Sequence, residues 1–152
     1  MPIRVIAVGK KHEPWVTAGI ERYQKRLKKP FEIEWAILAH SPQEGARARR
    51  DDSQRVLSRL NTTDYVILLD ETGKSLDSPG VSQLLSTQLQ SSKDLVIIIG
   101  GAYGVDDSVH NRADFVWSLS PLVFPHQLVR LILVEQLYRC QQINLGHPYH
   151  HD

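Results

Sequence analysis

Tyr65-Val66-Ile67-Leu68-Leu69 and Leu95-Val96-Ile97-Ile98-Ile99 decide the fold. Both are continuous apolar runs of strand length with no polar alternation, the pattern of strands covered on both faces, as in parallel sheets. Between them Val81, Leu84, Leu85 and Leu89 recur at helical spacing, Pro79 suits a first helical turn, and Asp77 or Ser78 can cap it. A strand–helix–strand unit of this kind predicts an α/β protein with a mostly parallel sheet and flanking helices.

Working outward, the apolar run 3–8 ends at Gly9 and reads as a strand at the edge of the domain. Val16, Ile20, Tyr23 and Leu27 mark one face of a helix over 14–29, whose other face holds Arg22, Lys25, Arg26, Lys28 and Lys29. Residues 31–37 alternate and predict a strand with one wetter face, 41–46 a loop, and 47–60 a helix with Val56, Leu57 and Leu60 inward and arginines outward. Phe115-Val116-Trp117-Ser118-Leu119 is a further strand. The last helix, over 128–142, is apolar on more than one face, which predicts two partners: the sheet and a second copy of the chain.

Length and composition bound the function. A chain of 152 residues, 41% hydrophobic with net charge +1, is sized for one domain over 1–152 and is not disordered. The lone Cys140 excludes an internal disulfide framework and a cysteine-built zinc site, so a reducing, cytosolic setting is expected. No apolar run approaches the ~20 residues that span a bilayer. The near-zero charge conceals an asymmetry: residues 1–60 carry 13 Lys and Arg against 7 Asp and Glu, and residues 61–152 carry 5 against 10. A basic first half points to a polyanion, with Lys10, Lys11, Arg22, Lys25 and Arg26, and beyond them Arg47, Arg49 and Arg50, as backbone contacts. The plainer reading is that these are solvated helix faces.

Three loops follow the apolar strands of the second half: Asp70-Glu71-Thr72-Gly73-Lys74, Gly100-Gly101-Ala102-Tyr103-Gly104, and Ser120 to His126. Ligands of open α/β sheets bind beyond the carboxyl ends of strands, so these loops are the expected pocket. Gly73-Lys74-Ser75 resembles the end of a phosphate loop, but Leu68 stands where that motif needs glycine, and Gly100-Gly101-x-x-Gly104 lacks dinucleotide-fingerprint spacing. Taken singly, each loop is simple turn chemistry; together they predict a pocket for an adenine-type cofactor. His126, Gln127 and Arg130 open the last helix, where anions are favoured and Arg130 adds fixed charge. The tail holds Tyr149, which can stack on a base, and His147, His150, His151 and Asp152. Those groups have ligand chemistry, but Pro148 and a free end promise no convergent geometry, and no metal is expected.

These residues carry a resemblance. Ile6-Ala7-Val8-Gly9-Lys10, Leu69-Asp70-x-x-Gly73-Lys74, Ile99-Gly100-Gly101-x-x-Gly104, Ser118-Leu119-Ser120, Phe124-Pro125-His126, Leu128-Val129-Arg130, Glu135-Gln136-Leu137-Tyr138-Arg139 and Pro148-Tyr149-His150 occur in order. The chain resembles, nearly end to end, the bacterial SPOUT-class methyltransferases that N3-methylate a pseudouridine in 23S ribosomal RNA. It departs at Val123, where that family often has Thr, and after Tyr149-His150, where His151 and Asp152 replace a basic continuation. The resemblance implies a C-terminal trefoil knot, a homodimer and a ribosomal RNA or ribosome substrate. It implies S-adenosylmethionine held by Leu69, Gly101, Leu119, Ser120, Pro121, Leu122, Val123, Phe124 and Pro125. Residue chemistry then suggests His150, with His126 second, as proton acceptor, Arg130 as a stabiliser of developing charge or of a phosphate, and Tyr149 as a stacking group. The alternatives are a non-catalytic RNA- or ribosome-binding dimer of the same fold, and an unrelated α/β nucleotide-binding enzyme, which the missing phosphate motifs disfavour.

Overall fold

The computed structural model describes residues 1–151; Asp152, one of the tail groups weighed for a metal, lies outside the described residues. The elements run β1 (Ile3–Val8), α1 (Pro14–Gln24), β2 (Ile33–Leu38), α2 (Gly45–Leu57), β3 (Tyr65–Ser75), α3 (Ser78–Leu89), β4 (Leu95–Ile99), α4 (Asp107–Arg112), β5 (Phe115–Ser118) and α5 (His126–Asn144). The five strands form one sheet in the order β2-β1-β4-β3-β5, and every pairing is parallel. The two runs that decide the fold lie side by side, Tyr65 opposite Leu95 through Leu69 opposite Ile99.

Parallel strands need both faces covered, and the odd and even side chains divide accordingly. Ile3, Val5, Ala7, Ile67, Ile97, Ile99 and Trp117 face a layer made by Leu27 after α1, Val81 and Leu85 of α3, and Leu133 and Leu137 of α5. Ile6, Val8, Val66, Leu68, Val96 and Ile98 face Val56 of α2 and Val109 of α4. Each such buried aliphatic side chain contributes about 1.5–3 kcal/mol relative to exposure.

Several expectations shift. Strand β1 is not at the edge: it lies between β2 and β4, and its residues from Val5 to Val8 are buried on both faces. Unbroken burial, not position in the chain, marks an interior strand. Helix α1 stops at Gln24, where the backbone tightens into i→i+3 turns (Arg26 N–H to the Tyr23 carbonyl, 2.9 Å; Leu27 N–H to the Gln24 carbonyl, 3.1 Å) that bury Leu27. Helix α4 was not anticipated; six residues around one buried Val109 are too short to show a period, and its only signal is Asp106, which accepts from the Ser108 N–H at 3.0 Å.

The extra apolar faces of α5 have intrachain partners. Helix α5 packs against both α1 and α3: Leu131 abuts Gly19, and Ser78 donates to Gln136 (2.7 Å) and Ser82 to Asn144 (2.9 Å). Part of those faces is therefore covered within the chain, while Leu128, Val129, Leu131 and Ile132 stay half-buried.

The largest departure is in β3. Leu69 and Lys74 both pair with Trp117 of β5, so Asp70 to Gly73 bulge out of the sheet before the strand resumes. Residues 70–74, expected as a loop after the strand, are a bulge within it. Gly73 makes this possible: a Cβ there would lie 2.5 Å from the Val116 carbonyl oxygen and 2.8 Å from the Trp117 nitrogen. The bulge throws Asp70 and Glu71 outward at the carboxyl end of the sheet.

Candidate functional site

Because all five strands run one way, their carboxyl ends share one edge of the sheet. A cavity of about 370 Å³ opens there, bounded by the β3 bulge, the Gly100–Val105 turn, the segment after β5 and the first turn of α5. Leu69, Ile99, Val105, Leu119 and Val129 make its apolar surface, and Asp70 and Glu71 supply carboxylates. The Asp70 carboxylate is oriented by the Thr72 N–H (2.9 Å) and hydroxyl (2.6 Å), with His110 Nε2 at 3.6 Å. Tyr103, Leu122 and Val123 stand exposed at the mouth.

Of the positions expected to hold a cofactor, Leu69, Gly101, Leu119, Ser120, Leu122, Val123 and Phe124 line this cavity; Pro121 and Pro125 do not. Ile99 at the end of β4, Val105 in the turn that follows and Val129 in the first turn of α5 also line it, and no sequence motif marks them. The segment after β5 is shaped locally: Ser118 donates to the Ser120 carbonyl (3.0 Å), and the Leu122 N–H donates to the Ser120 hydroxyl (3.0 Å).

The two candidate histidines separate. His126 lines the cavity, and burial, then the charge of Arg130, then His40, hold its pKa below the usual imidazole value. His150 lines a neighbouring cavity of about 420 Å³ between α3 and α5, which shares Leu119 and Phe124 with the first; these two residues form the partition. Arg139 Nη1 lies 3.2 Å from His150 Nδ1, and since arginine only donates, Nδ1 accepts and any ring proton sits on Nε2. Tyr149 packs edge-on to Tyr138 with centroids 4.9 Å apart, lies under the Arg139 guanidinium at 4.8 Å, and points its hydroxyl at Glu135, 3.3 Å away. Burial and then the Glu135 charge push the Tyr149 phenol up to about 12. The tail is thus docked on α5 through a Glu135–Arg139 pair joined at 2.8–3.2 Å, and Tyr149 does not line the main cavity.

Arg130 is 1% exposed and does not open into the cavity. Its Nη1 donates to the Lys10 carbonyl at 2.8 Å and meets His12 Nδ1 at 3.3 Å. Lys10 and Lys11 are exposed beside it, at the carboxyl end of β1. Arg22, Lys25 and Arg26 are exposed too, but α1 runs away from this edge: Arg22 stands roughly 12 Å along the helix from its start, and Lys25 and Arg26 follow its far end. Arg47, Arg49 and Arg50 belong to α2 on the opposite face of the sheet. The basic residues are therefore not one patch; Lys10 and Lys11 adjoin the cavity edge. Among the described residues, no group of His, Cys, Asp and Glu is arranged to hold a metal ion, and no helix is long and apolar enough to cross a membrane.

Residues 1–150 match the family described as "Predicted SPOUT methyltransferase". The chain is 38% identical over 159 residues to the ribosomal RNA large subunit methyltransferase H of Psychrobacter sp. (strain PRwf-1), covering 99% of this chain and 98% of the relative. It is 38% identical over 156 residues to the protein of that name from Thioalkalivibrio sulfidiphilus (100% of each). It is 39% identical over 154 residues to that from Stenotrophomonas maltophilia (99% of each).

Proposed function

The chain belongs to the SPOUT methyltransferase family, and we propose on that premise that it transfers a methyl group from S-adenosylmethionine to N3 of a pseudouridine in 23S ribosomal RNA. It is a ribosomal RNA methyltransferase that uses S-adenosylmethionine, and its α/β fold carries the C-terminal trefoil knot that the family implies. The finer reading includes a cytoplasmic homodimer acting on ribosomal RNA or the assembled ribosome.

The observation that carries the proposal is the cavity at the carboxyl edge of the sheet. Its volume of about 370 Å³ falls in the range of small-molecule sites. Apolar walls from Leu69, Leu119 and Val129 suit an adenine ring, and the turn of Gly100 and Gly101 leaves backbone groups open to a ligand. Asp70 and Glu71 put negative charge where a sulfonium cation would be favoured. When bound, S-adenosylmethionine supplies an electrophilic methyl group; the protein's tasks are alignment and removal of one proton.

Alignment is the work of a preformed wall, since holding reactants in line removes much of the barrier. The N3–H of the base is a weak acid, so a neutral acceptor is needed at working pH. His126 lines the cavity and is kept neutral by burial and Arg130, so within one chain it is the acceptor. His150 has the right chemistry but stands behind Leu119 and Phe124; it serves this step where a second copy brings its tail over the cavity. Arg130 acts by setting the charge around His126 rather than by touching the base.

Calorimetric titration with S-adenosylmethionine and single-turnover methylation of ribosomal particles test the reading. His126→Ala should bind the donor within a few-fold of wild type and lose methyl transfer by about 10²–10⁴-fold, the usual range for a general base. Full single-turnover activity in His126→Ala and its loss in His150→Ala would reassign the acceptor to the tail. No heat of binding in the wild type would defeat the donor assignment.

A further inference from the structure

We infer that Arg130, His12 and His40 form, with His126, a subsite for an RNA phosphate beside the donor cavity, so that the substrate is gripped by its backbone while its base is presented to the methyl donor. This rests on the methyltransferase reading and adds a residue set to it. The geometry starts at Gly9. A Cβ on Gly9 would lie 3.2 Å from Arg130 Nη2 and 3.4 Å from His40 Nε2, so a guanidinium and an imidazole converge over one bare α-carbon. His40 Cε1 lies as close, 3.4 Å, to the Cβ position of Gly101, which lines the donor cavity. The cluster therefore adjoins that cavity through Gly101 and His126.

The charges around Arg130 are unbalanced. It is 1% exposed, its Nε has no hydrogen-bond partner, and among the described residues no carboxylate lies within 4.0 Å of it. A buried cation normally has a paired anion, because desolvation costs several kcal/mol. Glu13, the acid that favours its charge from further away, is engaged by the Trp15 indole N–H at 2.8 Å. Asp52 Oδ2 lies 3.4 Å from the Gly101 Cβ position, beside His40 Cε1, and the carboxylate's charge is offset by Arg55 (2.7 Å) and the Ser41 N–H (2.9 Å) at its other oxygen, Oδ1. Helix α5 adds its N-terminus, where no side chain caps the free N–H groups. An uncapped helix start, a buried guanidinium without an acid and the imidazoles of His40 and His126 form the donor set that a phosphate completes, with His12, whose Nδ1 accepts from Arg130, able to donate only through Nε2. His40 and Lys10 are exposed, which leaves the cluster open from solvent.

Two measurements on the full chain test this. The first follows the imidazole Cε1–H resonances during titration with uridine 5′-monophosphate near neutral pH, without the methyl donor. His12, His40 and His126 should move toward their protonated positions while His147 in the tail stays still; equal movement of all four, or of none, overturns the subsite. The second compares His40→Gln, at an exposed position, and His12→Gln/His40→Gln, shown to be folded by its urea midpoint, with wild type in methylation of ribosomal particles. KM for the particles should rise about ten-fold in the double variant, with kcat within a few-fold, and the slope of log affinity against log salt should lessen by about 1. An unchanged KM and slope would refute the proposal. So would a comparable loss of S-adenosylmethionine affinity in the double variant, which would make the donor's own carboxylate the anion. Failure of the donor to bind wild-type protein would defeat the broader reading and leave the nucleotide titration standing on its own.

Discussion

Replacing Gly73 by alanine should separate stability from donor binding in an instructive way. The added methyl would meet backbone on the neighbouring strand: Val116 O at 2.5 Å, Val116 C at 2.6 Å and Trp117 N at 2.8 Å. Paired backbone cannot rotate aside as a side chain can, so the edge strand β5 must move away from β3 where the bulge rejoins the sheet. Overpacking of this sort costs typically 1–3 kcal/mol. For a chain of this size each kcal/mol lowers Tm by roughly 2–4 °C, so a fall of about 2–12 °C is expected. Because the bulge carries Asp70 and Glu71 into the cavity wall, S-adenosylmethionine should also bind at least several-fold more weakly at a temperature where the variant is fully folded. Calorimetry gives both quantities. Gly19→Ala is the control: its Cβ would meet Leu131 Cδ1 and Cδ2 at 2.9 Å, which are ends of a flexible side chain, and alanine favours a helix by about 1 kcal/mol over glycine. It should change Tm little and leave donor binding alone. If Gly73→Ala matched Gly19→Ala in both measurements, the account of the β3 bulge as the support of the cavity wall would be wrong.

Two further predictions concern titration. Burial and, second, the Arg130 charge lower the pKa of both His12 and His126 from 6.5, so in the unfolded chain these imidazoles take up protons first. Stability should therefore be complete above about pH 6.5 and decline as pH falls from there toward the depressed values, since the unfolded state then binds more protons; urea midpoints between pH 7.5 and 5.5 measure this, and His12→Gln/His126→Gln should flatten the slope. The Cys140 thiol is fully buried and pushed up to about 12, chiefly by desolvation, so a thiol reagent at pH 8 should leave the folded protein unmodified and label it on unfolding; rapid labelling of native protein would show α5 loosely packed.

How much of this was legible in the chain depends on whether the signal was local. The runs 65–69 and 95–99 and the helix between them follow from periodicity and burial, as does the start of the α1 stripe at Val16 and Ile20, although that helix ends before Leu27. The cavity edge also followed, because a parallel sheet leaves its loops at one end. What escaped was non-local. Periodicity does not say that β1 lies inside the sheet, that α5 is flanked by α1 and α3, or that the chain is knotted. It cannot show that β3 resumes after Asp70–Gly73, since that depends on Trp117, more than forty residues on. The two histidines illustrate the same limit: both suited proton transfer by type and by nearness to the C-terminus, and only packing puts Leu119 and Phe124 between them.

The electrostatics of the carboxyl edge reconcile two demands that oppose each other in this reaction. The methyl donor is a cation at sulfur, and the RNA is a polyanion; one uniform potential would favour one ligand at the expense of the other. The fold avoids this by drawing its acids and bases from different strands. Asp70 and Glu71 come from the β3 bulge on one side of β4, while Lys10, His12, His40 and Arg130 gather at the ends of β1 and β2 and on α5, on the other. Strand β4 lies between the two, and its Gly100-Gly101 turn adjoins both, with no side chain to project between them. The charge asymmetry of the sequence halves is thus expressed across the sheet as well as along the chain. His126 stands where the two fields meet, lining the acidic cavity while burial first, and then the charges of Arg130 and His40, hold its pKa below the ordinary imidazole value.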